Sequence, residues 1–165
     1  MEPSEEPQIS AERTAHVQRV LDRLISNSPI YTILLSNITL TSTSRGAVTT
    51  RLVLEPNHVN SRGTLHGAVS ATIVDFTTGL AVASWDLRET TGASVDMHIS
   101  YLGTAKIGET LEIEATANKV GGSMSFSTIR ISKVAEDGSL TLVTLGQHTK
   151  YGKNPAAASA QAVKA

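Results

Sequence analysis

At 165 residues, with 40% hydrophobic and 18% charged side chains, the chain can bury one sizeable core and forms one domain by default. It has no cysteine, which excludes disulfides, thiolate nucleophiles and Cys-ligated metals. The net charge of −1 conceals an acidic start: residues 1–12 hold Glu2, Glu5, Glu6 and Glu12 and no base, leaving 14 basic against 11 acidic residues in the remainder, too few and too scattered for nucleic acid but suited to an anionic small ligand.

Residues 1–10 read as a disordered segment. Their acidic, Pro-containing opening lacks the apolar stretch of a secretory signal and the arginines of a transit peptide. No apolar run of membrane-spanning length is expected, and the final Val-Lys-Ala differs from the peroxisomal Ser-Lys-Leu signal. Cytoplasm is the residual expectation, with mitochondrion and peroxisome left open. Asn37-Ile-Thr39 fits the glycosylation pattern, and with no secretory signal expected it reads as a chance match.

A folded domain is expected over 11–151, beginning with a helix over 11–26. Ser10-Ala-Glu-Arg13 opens it, and Val17, Val20, Leu21, Leu24 and Ile25 share one face. It stops near Asn27-Ser-Pro29. Two strands, Tyr31 to Thr43 and Ala47 to Glu55, follow around a turn at Ser44-Arg-Gly46. Pro56 to Gly63 is a loop by composition.

From Thr64 to about Trp85 the sequence is free of proline and almost wholly small or apolar. A helix apolar on nearly every side is buried within a sheet or between subunits, and about 20 residues give a rod of about 30 Å. The remainder alternates as β-structure over Gly92 to Leu102, Glu109 to Val120, Ser123 to Lys133 and Ser139 to Tyr151. Thr110 to Ala117 has the clearest period, apolar at odd numbers. Turns fall at Lys106-Ile-Gly108, Gly121-Gly122 and Glu136-Asp-Gly138. The expected class is α+β, with an antiparallel sheet wrapped around a long central helix. An Ala-rich flexible tail, 152–165, follows.

The chemistry concentrates at the start of the long helix. Asn60-Ser-Arg-Gly-Thr-Leu-His66-Gly67 delivers unpaired backbone N–H groups and the positive end of the helix dipole. Gly67 permits close approach of a carbonyl oxygen that gains negative charge during acyl transfer. Asp75 is the one charged residue between His66 and Trp85. A buried acid without a structural reason is costly, so general base or nucleophile are its candidate roles. His66 and Asp75 are nine residues apart and at about 100° per residue project from opposite sides. A two-fold dimer would let Asp75 of one chain face the helix start of the other, giving two shared sites.

Ser94 begins a face expected to hold Ser94, Asp96, His98 and Ser100. Gly-Ala-Ser-Val-Asp96 departs from the nucleophile-elbow pattern in its last residue and enters a strand, which argues against a serine hydrolase. His58, His66, His98 and His148 lack an accompanying carboxylate motif, so no metal site is expected.

Together, Asn60-x-x-Gly-Thr-Leu-His-Gly67, Asp75, Ser-Val-Asp-Met97, Tyr101, Ala-Lys-Ile-Gly108 and Gly-Gln-His-Thr-Lys150 resemble the PaaI-like hotdog-fold acyl-CoA thioesterases of the 4-hydroxybenzoyl-CoA thioesterase superfamily. The eukaryotic acyl-CoA thioesterase group is similar. The match spans roughly 45–151. The resemblance implies hydrolysis of a fatty-acyl or aromatic-acyl thioester to acid and CoA, with coenzyme A as part of the substrate and no other cofactor. Asp75 would activate or orient the water, or attack the thioester itself, and Ser94 would help place the water. Gly67 N–H would polarise the carbonyl, with Asn60 and His66 positioning it. Substrate contacts would come from Phe76, Tyr101, Gly121, Gly122, Ser123 and Lys150, with Leu80 and Trp85 as further acyl walls. A homodimer with shared sites would pair into a tetramer. The family's frequent His-Gly-Gly is His66-Gly67-Ala68 here, and its Gly-Lys or Gly-Arg turn is Gly121-Gly122. The second change removes a cation from the CoA phosphates, for which Lys119, Arg130 or Lys150 could compensate. A non-catalytic hotdog protein that binds an acyl thioester or small ligand is the alternative reading, and the retained Asp75 argues against it.

Overall fold

The computed structural model describes residues 7–153; the expected tail beyond 153 and the first six residues lie outside them. Helix α1, Pro7–Asn27, and the short α2, Pro29–Leu35, precede strands β1, Thr39–Ser44, and β2, Ala47–Val53. A 3-10 turn at Pro56–His58 leads through a loop into α3, Gly67–Asp86. Strands β3, Ala93–Tyr101, β4, Thr110–Val120, β5, Met124–Val134, and β6, Leu140–Tyr151, complete the chain. All six strands form one antiparallel sheet in the order β1-β2-β4-β5-β6-β3, wrapped around α3 as expected.

The β4 alternation reads as expected. Leu111, Ile113, Ala115 and Ala117 are buried, in register with Ile129 and Ile131 of β5 and with Leu52 and Val48 of β2. Burying each larger aliphatic side chain contributes about 1.5–3 kcal/mol. On the opposing layer, Ile73, Val74, Phe76 and Leu80 of α3 are buried.

Three expectations change. Tyr31 to Leu35 is helix rather than strand, because Ser28-Pro29 supplies an extended N-cap followed by proline in the first turn. The helix α1 starts at Pro7, ahead of the expected residue 11. By length and composition α3 could span a membrane, contrary to expectation, but 72% of that apolar window is buried inside the fold.

The helix α1 packs Val17, Val20 and Leu21 into the core and runs past the C-terminal end of α3. There Arg13 donates to the Ser84 carbonyl, and His16 Nε2 lies 3.0 Å from the Arg88 carbonyl. Arg13 thus meets a carbonyl of the last turn, of the kind a helix end leaves unpaired, and His16 reaches the carbonyl of Arg88 just beyond the helix.

Gly146 sets how closely α3 approaches the sheet. A Cβ there would lie 2.8 Å from Ile129 Cγ2 and 3.3 Å from Val74 Cγ2. Its absence lets the residues two and four further along β6, His148 and Lys150, reach the helix. At the C-terminal end of α3, Gly46 turns from β1 to β2 at φ +74°, against the Trp85 ring, while Arg45 stacks over that ring at 5.0 Å. Gly46→Ala adds a strained φ and a Cβ 2.6 Å from Trp85, and is expected to lower stability by about 1–3 kcal/mol. Urea unfolding reads this as a lower midpoint at unchanged slope.

Candidate active site

Asp75 sits in the second half of a two-and-a-half-turn run from the start of α3, half-buried, with donors arriving from three elements. Lys150 Nζ of β6 lies 2.6 Å from Oδ1. Ser94 Oγ of β3 lies 3.0 Å from the same oxygen. The Tyr31 hydroxyl of α2 donates to Oδ2 at 2.7 Å. Lys150 is only 3% exposed, so a buried cation balances the helix acid. That pairing is the partner a mid-helix carboxylate requires.

A β-bulge brings Ser94 inward. Register shifts between Ser94, paired with Lys150, and Asp96, paired with Thr149. Met97 and Ile99 beyond it pack on the core. The extra residue puts Ser94 on the helix-facing side, while Asp96 and His98 share the other, so the single face expected for 94, 96, 98 and 100 is divided.

Burial pushes the Asp75 carboxyl up, but the Lys150 charge and the hydrogen bonds from Lys150, Tyr31 and Ser94 outweigh it and hold the group below its ordinary value. Asp75 is therefore an anion near neutrality. Burial, with the hydrogen bond and charge of Asp75, raises the Tyr31 phenol, which stays a donor. Burial and the Lys150 charge push His148 down to about 4, against the pull of Asp75 and Asp96, so its imidazole is neutral.

His148 extends the network. Its Nε2 is 3.0 Å from Ser94 Oγ and its Nδ1 is 2.7 Å from Thr78 Oγ1. Each hydroxyl has one proton, so the chain of bonds has a direction. Thr78 Oγ1 also lies 2.6 Å from the Val74 carbonyl, and serving that oxygen would run the chain from Ser94 toward His148. A bond to a carboxylate is roughly twice as strong as one between neutral groups, which favours Ser94 donating to Asp75. His148 Nε2–H then donates to Ser94, and Thr78 donates to Nδ1.

These groups border a cleft of about 320 Å³ lined by Ser28, Ile30, Tyr31, Asp75, Ser94 and Met97, among others. Lys150, expected as a substrate contact, is committed to Asp75 behind it. Gly121 and Gly122 form the β4–β5 turn, with Gly121 N–H donating to Met124 O at 2.8 Å. The Ser123 carbonyl accepts from Gly152 N–H at 2.9 Å, next to the strand ends that carry Lys150 and Ser94. Phe76 and Leu80 are buried in the core; Phe76 meets Tyr31 edge to face at 5.0 Å. Trp85 lies under the β1–β2 turn.

The second expected group stands apart. Asn60 Oδ1 accepts from Arg62 N–H at 2.9 Å, and its Nδ2 lies 3.0 Å from Thr64 Oγ1, so Asn60 shapes its own loop. His66 is the N-cap of α3, its Nδ1 accepting from Ala68 N–H at 3.0 Å. Among the described residues, Gly67 N–H makes no backbone bond outside the helix ladder, while Gly67 O accepts from the Tyr101 hydroxyl at 3.3 Å. Eight residues of helix separate Gly67 from Asp75, about 12 Å, so a single carbonyl group cannot touch both within one chain. His58 bridges Glu55 N–H and the Leu34 carbonyl at 2.8 Å each, a structural post. Among the described residues no cluster of three His, Asp or Glu could hold a metal ion.

Tyr31 is the residue that sequence reasoning missed at this site. Ser28-Pro29 was the available signal, since a helix start there turns the tyrosine toward α3.

Comparison with known proteins converges on one family. The sequence model of the thioesterase superfamily matches residues 62–138. Human acyl-coenzyme A thioesterase 13 is 37% identical over 117 residues, covering 71% of this chain and 81% of that protein. The crystal structure of zebrafish thioesterase superfamily member 2 aligns with a TM-score of 0.72 at 36% identity, over 82% of this chain and 94% of that one. PaaI from Escherichia coli shares the fold at a TM-score of 0.66 and 16% identity, over 85% and 96% of the two chains. The hotdog architecture and the PaaI-like resemblance are thus borne out.

The His148 assignment has two measurable consequences. Nitrogen-15 NMR of the imidazole is expected to show the neutral Nε2–H form at pH 6; an Nδ1–H form would reverse the bond chain. Between the ordinary value of 6.5 and about 4, the unfolded chain binds a proton that the native chain does not, so stability falls as pH falls through this window. Urea midpoints in His148→Gln are expected to decline less steeply over that range than in the wild type.

Proposed function

Because the chain belongs to the thioesterase superfamily and is a thioester hydrolase, we propose that its substrate is an acyl-CoA, fatty or aromatic in the acyl part, cleaved to free acid and CoA. The observation that carries the mechanism is Asp75, held as an anion on a cleft wall by Tyr31, Ser94 and Lys150.

Water in the cleft gives its proton to Asp75 as its oxygen bonds to the thioester carbon. The carbonyl electrons move onto oxygen, and Gly67 N–H at the positive end of α3 stabilises that charge. Collapse re-forms the carbonyl and breaks the C–S bond, releasing a thiolate that needs little protonation to leave; the proton held by Asp75 then passes to the departed sulfur or to solvent, which restores the carboxylate. Asn60 and His66 keep the loop and the helix start in place. Direct attack by Asp75 on the carbonyl carbon, through an anhydride, is the other route open to the same carboxylate.

Glycine at 67 supports the carbonyl role. A Cβ there would meet the Tyr101 ring at 3.5 Å, an ordinary contact, and φ is not positive; packing within the chain does not demand glycine, whereas a close-approaching ligand does.

The separation of about 12 Å between Gly67 and Asp75 supports a two-fold homodimer in which each site takes Asp75 from one copy and Gly67 from the other. The sheet ends in β3, whose outer edge is unpaired among the described residues, and Val95, Tyr101 and Leu102 are exposed on or beside it. An open edge with apolar side chains is a pairing surface. Two such dimers would form the tetramer. The CoA phosphates would lie toward the Gly121–Ser123 turn, bound there through backbone groups, since Lys150 is engaged.

Thiol release from short, medium, long and aromatic acyl-CoAs tests the reading, with no background from a cysteine-free chain. Asp75→Asn and Gly67→Ala are each expected to lose at least about 100-fold in kcat, the first with lowered stability because the buried Lys150 loses its counter-charge, so both are assayed at a temperature where circular dichroism shows the variant folded. No release from any acyl-CoA by a folded wild type would overturn the acyl-CoA assignment. Mixing the two inactive variants under exchange conditions is expected to restore activity, because a mixed dimer holds one intact site; failure to restore it would overturn the pairing of Asp75 with Gly67 across the dimer.

A further inference from the structure

The phenol of Tyr31 lies in contact with the proposed base, outside the segment matched by the superfamily. We infer that Tyr31 is a positioning residue for hydrolysis, resting on the reading of Asp75 as the group that activates water: its hydroxyl fixes which lone pair of Asp75 receives the proton.

An ionised carboxylate offers about four acceptor positions, two on each oxygen. Lys150 and Ser94 take both on Oδ1. Tyr31 takes one on Oδ2. A single position on Oδ2 remains, on a carboxylate that borders the cleft. Without the phenol, Oδ2 would offer two positions and a water could settle in either, one of them aimed at α2 rather than at a carbonyl. Proton transfer depends on heavy-atom geometry of hydrogen-bond quality, so occupying the unproductive position directs the water to the productive one.

The tyrosine is itself held. Its ring packs edge to face on Phe76 with centroids 5.0 Å apart and planes at 71°, and Phe76 is fully buried beside Asp75. The helix carrying it is fixed below by His58, whose Nε2 lies 2.8 Å from the Leu34 carbonyl, and by Asn57, which donates to the Ile33 carbonyl. The titratable groups facing Asp75 are Tyr31 from α2 and His148 and Lys150 from β6, with the Ser94 hydroxyl from β3. Among them Tyr31 alone reaches Oδ2.

Tyr31→Phe removes the hydroxyl and keeps the ring against Phe76. Expected are a drop in kcat of roughly tenfold, a KM within about twofold of wild type, and an acid limb of the kcat–pH profile displaced to higher pH, because Asp75 loses a bond that favours its anion. Carbon-13 NMR of the Asp75 carboxyl is expected to show the same upward displacement without any turnover. Unchanged kcat and an unchanged acid limb in a folded Tyr31→Phe would overturn the inference. If that result comes with an active wild type and an inactive Asp75→Asn, the thioesterase reading stands and only the role of Tyr31 fails. An inactive wild type would remove both.

Discussion

The rest of the structure is arranged around one electrostatic requirement, an acid in the middle of a helix that has almost no wet face. Desolvation alone would drive the Asp75 carboxyl toward its neutral form. The buried ammonium of Lys150 reverses that tendency, and the hydroxyls of Ser94 and Tyr31 add two further hydrogen bonds to the anion. The cation is itself costly to bury, so neither charge is tolerable without the other. A half-buried acid kept ionised at neutral pH is a weak base in solution terms, and its usefulness comes from position.

Backbone details decide whether the two charges can meet. Gly146 allows α3 to settle close to β6, and the strand period of two then puts His148 and Lys150 on the same inward side. The bulge in β3 adds one residue, rotating Ser94 into line with them. Neighbouring strands thus present lysine and serine side by side to the same carboxylate oxygen. The short helix α2 approaches from the opposite side and supplies Tyr31 to the second oxygen. Three elements from across the chain converge on one side chain of a fourth, so the carboxylate is held on several sides even though it borders an open cleft.

The start of α3 has a different character. His66 caps it through Nδ1, Asn60 and Gly63 tighten the loop ahead of it, and Gly67 follows with its N–H free of loop partners. This is a preorganised donor group, assembled from loop chemistry rather than from tertiary contacts. It sits about two turns from the acid on the same helix, and the rigidity of α3 fixes that distance. In the proposed dimer, a pair held apart in one chain and brought together by a second copy would link activity to assembly.

Much of this was legible in the residues. The apolar run from Thr64 to Trp85, the odd-numbered period of β4 and the glycine-marked turns are local patterns, and local patterns determine helix, strand and hairpin. Asp75 stood out because a charge in an apolar run has a cost that sequence alone exposes, and the loop from Asn60 to Gly67 stood out because turn and cap residues act on their own backbone. The nine-residue spacing of His66 and Asp75 set their opposite directions, since helical rotation per residue is fixed. What the sequence could not decide was who answers the charge. Lys150 lies 75 residues away and Tyr31 lies 44 away, and such distances carry no periodic signal. The bulge at Val95 changed the facing of Ser94, because one inserted residue shifts a strand by half its period. The stretch after Pro29 became helix instead of strand, because seven apolar and polar residues hold too little pattern to outweigh a proline at the first turn. Only the tertiary structure, by packing strand against helix, selected the partners that keep the acid ionised.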